Sequence, residues 1–275
     1  MRSIVAVPSV WMFLACFSLM PSALRAAEPS FTKDDRIVTD RPDAVESSDV
    51  VGKGRFQIET SVDYQRDKNA GMKTRTFTTP TLFRLGVSEN LELRVESDGR
   101  VRERVDALGV SDIQKGWADV AIGFKWHMQD GNDKTAKPGI GWLIHADLDS
   151  GSRQFRGQGV RPSVRVAFEW DLPNDMSLGV MPGVIRDKDQ ATGGRFTAGI
   201  LAAVLGKELN DKTRVFTEVA ATQIARRKYG GTIATFNLGA AYLVTRYTQV
   251  DVAARFGMNS NSPDIAATVG LSVKF

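Results

Sequence analysis

Cysteine and histidine are nearly absent: the chain has one cysteine, Cys16, and two histidines, His127 and His145. Cys16 lies in a mostly apolar run from Ile4 to Leu19 that follows Arg2, and small residues come next at Ala23, Ala26 and Ala27. That order of charge, apolar stretch and small side chains is a secretory signal, with cleavage expected near Ala26. Residues 1–26 are read as a leader, which leaves a chain without cysteine and so excludes disulfides and thiolate chemistry. Phe13-Leu14-Ala15-Cys16 is a poor lipid-attachment box, because Phe opens it and Phe17 continues the apolar run. A strong charge of either sign is lacking too. The formal net charge of +4 falls to +2 once Arg2 and Arg25 leave, which is no nucleic-acid signature. After residue 27 no stretch approaches the ~20 consecutive apolar residues of a membrane helix. An exported, moderately polar chain of this kind is a soluble periplasmic domain, a secreted protein, or a β-barrel with a polar interior.

What is present is alternation. In the last thirteen residues Ile265, Ala267, Val269, Leu271, Val273 and Phe275 fall on one strand face, and Asp264, Ala266, Thr268, Gly270, Ser272 and Lys274 on the other. A final strand whose apolar face ends on a terminal aromatic resembles the closing strand of bacterial outer-membrane β-barrels, where Phe275 would be the signal to the assembly machinery. The same period recurs near 247–258, 232–244, 212–223, 194–207, 175–186, 160–170, 138–148, 117–128, 89–98, 73–86 and 55–66. The total is twelve, an even number that returns both chain ends to the periplasmic side. Segments of ten to fourteen residues suit strands crossing a bilayer at a tilt, which need ~9–11, and exceed the usual five or six of a β-sandwich.

Connections alternate in length as such barrels require, short on the periplasmic side and longer outside. Leu172-Pro173-Asn174-Asp175 and Leu209-Asn210-Asp211 are tight, whereas Asp98 to Gly116 reads as a long charged loop. Gln129 to Lys137 departs from this rule as a longish connection where a turn is expected. Tyr64, Trp126, Trp142, Trp170, Tyr242 and Phe275 sit on the apolar face near strand ends, as an interfacial girdle would. The expected architecture is an all-β, twelve-stranded antiparallel transmembrane barrel over 55–275 in the bacterial outer membrane, preceded by a periplasmic or lumen-inserted segment at 27–54.

That segment contains Thr39-Asp40-Arg41-Pro42-Asp43-Ala44-Val45-Glu46-Ser47, followed by Gly54-Arg55-Phe56-Gln57-Ile58-Glu59. It resembles the outer-membrane family labelled "putative meta-pathway of phenol degradation", whose members open with T-D-R-P-D, a nearby E-S and a G-x-x-Q-x-E first strand. Ala44-Val45 replaces the family's more usual aromatic and Thr. The resemblance implies a channel or transporter-like barrel, some relatives being encoded with aromatic degradation. It carries Asp40, Arg41, Pro42, Asp43, Glu46, Gln57 and Glu59 over as candidates for anchoring the segment in or beneath the barrel. Pro42 favours an extended Arg41, which could hold a carboxylate such as Glu59 through a bidentate contact.

Candidate lumen residues are the acids Asp63, Glu92, Glu96, Asp119, Asp147, Glu169, Glu218 and Asp251, the bases Arg84, Arg94, Lys125, Arg165, Arg214 and Arg255, and His127 and His145. Charges in a narrow interior must pair or stay hydrated. No serine sits in a nucleophile motif such as G-x-S-x-G. The carboxylates around the two histidines are explained by salt bridges as well as by a metal. No catalytic residue, metal set or cofactor is expected. The expected partners are outer-membrane lipid, the assembly machinery and small aromatic solutes, with no nucleic acid. The function expected is a channel for small hydrophobic or aromatic solutes. The alternative is a plugged, non-transporting barrel whose 98–116 loop meets a partner or surface glycan.

Overall fold

The computed structural model describes residues 35–189 and 192–275. The leader read from residues 1–26 lies outside them. Among the described residues fifteen strand segments form one sheet. The first seven are β1 (Phe56–Asn69), β2 (Met72–Thr78), β3 (Thr81–Gly86), β4 (Leu91–Ser97), β5 (Arg100–Ala107), β6 (Val110–Trp117) and β7 (Val120–Gln129). Then come β8 (Gly139–Asp147), β9 (Arg161–Leu172), β10 (Met176–Lys188) and β11 (Arg195–Asn210). The chain ends with β12 (Thr213–Ile224), β13 (Ile233–Thr245), β14 (Thr248–Gly257) and β15 (Ile265–Lys274).

Neighbours pair antiparallel, and β15 returns to β1 from Gln57↔Lys274 to Arg66↔Ile265, which closes the sheet. The closed ring has twelve staves, because three of them are each made of two segments. β3 and β2 continue one another along β1, with Thr60↔Thr81 and Asp63↔Thr78 in one register; Pro80, which has no N–H, interrupts the ladder between them. β4 continues as β5 across Asp98-Gly99, where Gly99 has φ +66° and a Cβ would stand 2.4 Å from the Thr79 carbonyl oxygen. β6 continues as β7 across Ala118-Asp119.

The expected loop at 98–116 is therefore wrong: it is a hairpin that lengthens the wall on the extracellular side. The reason is an inverted pattern. In the membrane the outward face is apolar, but on β5 Arg100, Arg102 and Arg104 point outward while Val101 is buried inside. A charged outward face is what water and headgroups favour above the bilayer.

Below that level the exterior is apolar and the interior polar, the reverse of a water-soluble domain. Val62, Leu93, Val95, Ile122, Val252 and Val269 are exposed outward, while the largest fully buried side chains include Arg84, Arg94, Lys125, Glu59, Glu92 and Glu218. At the seam Phe275 and Phe56 exchange backbone hydrogen bonds of 2.7 and 3.3 Å. Their rings lie 6.1 Å apart, and Phe83 stacks on Phe56 at 6.2 Å.

Candidate functional site

The lumen is occupied by the chain's own N-terminal segment. It enters from the periplasmic end, where the Ile37 N–H donates to the Arg246 carbonyl at 2.8 Å, and leaves at the same end, where Gly54 N–H donates to Gly86 at 2.8 Å. Such a segment has no strand partner, so its backbone groups need other acceptors. Wall carboxylates supply them. Glu59 accepts the Asp40 N–H at 3.0 Å, Glu169 the Ser48 N–H at 2.5 Å and Glu92 the Val51 N–H at 2.9 Å. Glu218 accepts both Ala44 and Val45 N–H at 2.9 Å, and the Asn237 amide at 2.6 Å.

The segment's own acids face the wall's bases. Asp40 is surrounded by Arg94 at 2.6 Å, Lys125 at 2.7 Å and Arg84 at 3.3 Å. Glu46 takes Arg94 at 2.5 Å and Arg165 at 2.8 Å, and Asp43 takes Arg214 at 2.9 Å. Burial opposes ionisation of Asp40, but Arg84, Lys125 and Arg94 outweigh it and hold the carboxyl far below the usual range. Arg41 does not hold Glu59, the partner expected for it from the sequence. It pairs with Asp251 at 3.1 Å and donates to the Thr268 hydroxyl at 3.0 Å. Glu59 is instead taken by Arg84 at 2.9 Å, Gln57 at 2.8 Å and the Asp40 N–H. The backbone at Asp40 faces β1, which sends the next side chain toward β14 and β15.

Apolar packing completes the seat. Val45 is buried with Leu143, Ala167, Met181 and Phe216, so Phe216 points inward. Glycines leave room for the segment: a Cβ on Gly141 would lie 2.7 Å from the Ser48 carbonyl oxygen, and one on Gly270 would lie 2.7 Å from the Arg41 Nε. These glycines, Val45 and the backbone-accepting role of Glu218 are invisible to a reading that counts charges. A glycine within an otherwise alternating strand was the available signal.

The remaining named residues lie around this seat or above it. His145 Nε2 accepts from Arg94 Nε at 3.1 Å, and His127 Nδ1 lies 3.0 Å from the Ser48 carbonyl oxygen. Glu96 stands 4.0 Å from Arg94 and 3.8 Å from His145. Nearer the extracellular end, Asp63 pairs with Arg255, and Arg161 bridges Asp119 at 2.9 Å and Asp147 at 3.7 Å. Among the described residues, cavities flank the inserted segment on both sides. One of about 650 Å³ opens toward the extracellular side between Asp63, Asp119, Phe155 and Arg255, and one of about 280 Å³ lies on the periplasmic side by Arg36, Glu208 and Leu243. Arg41 and Asp43 line both, so the inserted segment separates them.

Residues 39–275 match the model of the family described as "Putative MetA-pathway of phenol degradation". Among solved structures, an outer membrane channel from Pseudomonas putida F1 is similar in fold at 10% identity, with 91% of this chain and all 100% of that chain covered and a TM-score of 0.58. The NanC porin is similar at 12% identity, with 79% of this chain and 100% of that chain covered and a TM-score of 0.52. No curated protein sequence matches the chain. The closed twelve-stave barrel, apolar outside and polar within, has the fold of outer-membrane barrels.

Proposed function

The chain belongs to this phenol-degradation family, and from that premise we propose that it is an outer-membrane channel for small solutes, aromatic ones among them, closed by its own N-terminal segment. The observation that supports this most directly is the seating of residues 36–51 between two cavities by ion pairs running in both directions, from Asp40, Asp43 and Glu46 to the wall and from Asp251 back to Arg41. A segment held by paired charges in a polar lumen can leave for water without exposing a large apolar face. Its acids then rehydrate, and the wall they leave behind, with Arg84, Arg94, Lys125 and Arg165 beside Glu59, Glu92, Glu169 and Glu218, offers a path of mixed charge to polar or hydroxylated solutes. Asp40, Arg41, Asp43 and Glu46 act as the anchors in this reading, with Gln57 and Glu59 as part of their seat. Pro42 shapes the backbone between them. Nothing in it calls for a catalytic group.

Solute-induced swelling of liposomes carrying the folded protein tests the proposal. The Asp40→Asn/Glu46→Gln variant should admit small phenolics and other small solutes faster than the native protein. Equal impermeability of both, in protein shown to be folded, would favour the plugged, non-transporting barrel.

A further inference from the structure

The wall extension formed by the upper part of β1 with β2, β5 and β6 carries an unusual outward face. Along β1 the outward residues are Phe56, Ile58, Thr60, Val62 and Tyr64, followed by Arg66 and Lys68. Tyr64 meets Phe77 across the strand pair at 4.8 Å between ring centroids, and cations begin immediately above. Arg66 stands opposite Arg75, and Arg75 opposite Arg104, which sets three guanidinium groups side by side across three strands. The next row places Lys68 opposite Lys73, and the row below places Arg102 opposite Lys115.

Like charges directly opposite one another destabilise a sheet. One anion on this face relieves part of the repulsion: Asp106 lies 2.9 Å from Arg104 and 3.5 Å from Arg75. Among the described residues Arg66, Lys68, Lys73, Arg102 and Lys115 have no ion pair, and the shielded Nε of Arg66 has no hydrogen-bond partner. Arg75 pushes the Lys73 ammonium below its ordinary value, with burial, Arg66 and Lys68 adding to the effect and Asp106, directly opposite Lys73 on β5, offsetting part of it. A face of this kind is complete only with an anion on it.

Its height identifies the anion. From Phe56 at the periplasmic rim to Arg66 the strand climbs ten residues, about 26 Å along the axis at ~3.4 Å per residue and a tilt near 40°. The apolar band of such barrels is about 25 Å tall, so the arginine row meets the headgroup layer of the outer leaflet. Guanidinium forks match phosphate oxygens in pairs, and several forks in one row match a headgroup bearing more than one phosphate.

We propose that this face binds the phosphates of a phosphorylated glycolipid in the outer leaflet. The partner is lipid, held by the arginine row above and by the apolar surface below Tyr64 and Phe77. Free phosphate lacks the second contact.

Native mass spectrometry of the protein refolded in detergent tests this with diphosphoryl lipid A, the same lipid with its phosphates removed, and inorganic phosphate. Diphosphoryl lipid A should bind, and the other two should bind far more weakly. Arg66→Gln/Arg75→Gln/Arg104→Gln should weaken it about a hundredfold, from roughly fivefold per cation. Heat-modifiable mobility reports whether this variant folds. If it does not, Lys68→Gln/Lys73→Gln serves in its place and should lose about twenty-fivefold. Equal binding of the dephosphorylated lipid, equal binding of inorganic phosphate, or unchanged affinity in a folded variant would each overturn the proposal.

Discussion

Asp40 is the residue on which most of the lumen's charge converges, because Arg84, Arg94 and Lys125 all lie within 3.3 Å of it. Breaking a buried pair by removing one partner costs about 3–5 kcal/mol, since the other charges stay behind uncompensated. Asp40→Asn should therefore unseat the segment, seen as faster hydrogen exchange over residues 38–48 and more frequent openings in planar bilayers. Glu218 acts differently, accepting two backbone N–H groups and the Asn237 amide. Glu218→Gln loses the charge and one accepting oxygen, for a cost of about 1–3 kcal/mol. Exchange should rise at Ala44 and Val45 in particular; protection equal to the native protein's would show that the carboxylate is dispensable.

At the scale of elements, what matters is where a strand makes room and where it closes the ring. On β8, a side chain at Gly141 would come within 2.7 Å of the Ser48 carbonyl. Because the atom met is backbone, Gly141→Ala should displace the segment rather than the wall, at an overpacking cost of about 1–3 kcal/mol. Solute flux in the swelling assay should rise while the barrel keeps its heat-modifiable mobility. β15 ends on Phe275, whose ring and backbone both engage Phe56 across the seam. Phe275→Ala removes the ring contact, about 0.5–1.5 kcal/mol beyond the buried area, and should lower the yield of folded barrel in the membrane. Undiminished yield would remove Phe275 from the list of assembly signals.

At the largest scale residues 36–275 are a wall and an insert made of one chain, and the insert can be locked. A Cβ on Gly179 of β10 would lie 3.8 Å from the Cβ of Val45, the mean separation across a disulfide, ~3.8 Å. Cys16 is the one cysteine of the sequence, so Val45→Cys/Gly179→Cys made together with Cys16→Ser holds a single thiol pair. Oxidised, this variant should conduct in planar bilayers only at the background level; reduction should restore the native openings. Conductance unaffected by oxidation, with the disulfide verified by mass, would mean that solutes do not pass by way of the segment's exit.

The twelve staves, the outward aromatics and the inward charges were legible because a membrane barrel imposes one rule on every strand: apolar toward lipid, polar toward the lumen, with period two. Where that rule stops holding, above the bilayer on β5 and β6, the same charged residues read as a loop. The charges at Asp40 and Glu46 could also be singled out from sequence, but their partners could not. Arg94 and Arg165, on β4 and β9, meet at one Glu46 carboxylate only because the sheet closes on itself. Sequence period determines the face on which a side chain points. Which side chains then meet across the lumen depends on the closure of the ring and the path of the inserted segment, and those distances exist only in the folded barrel.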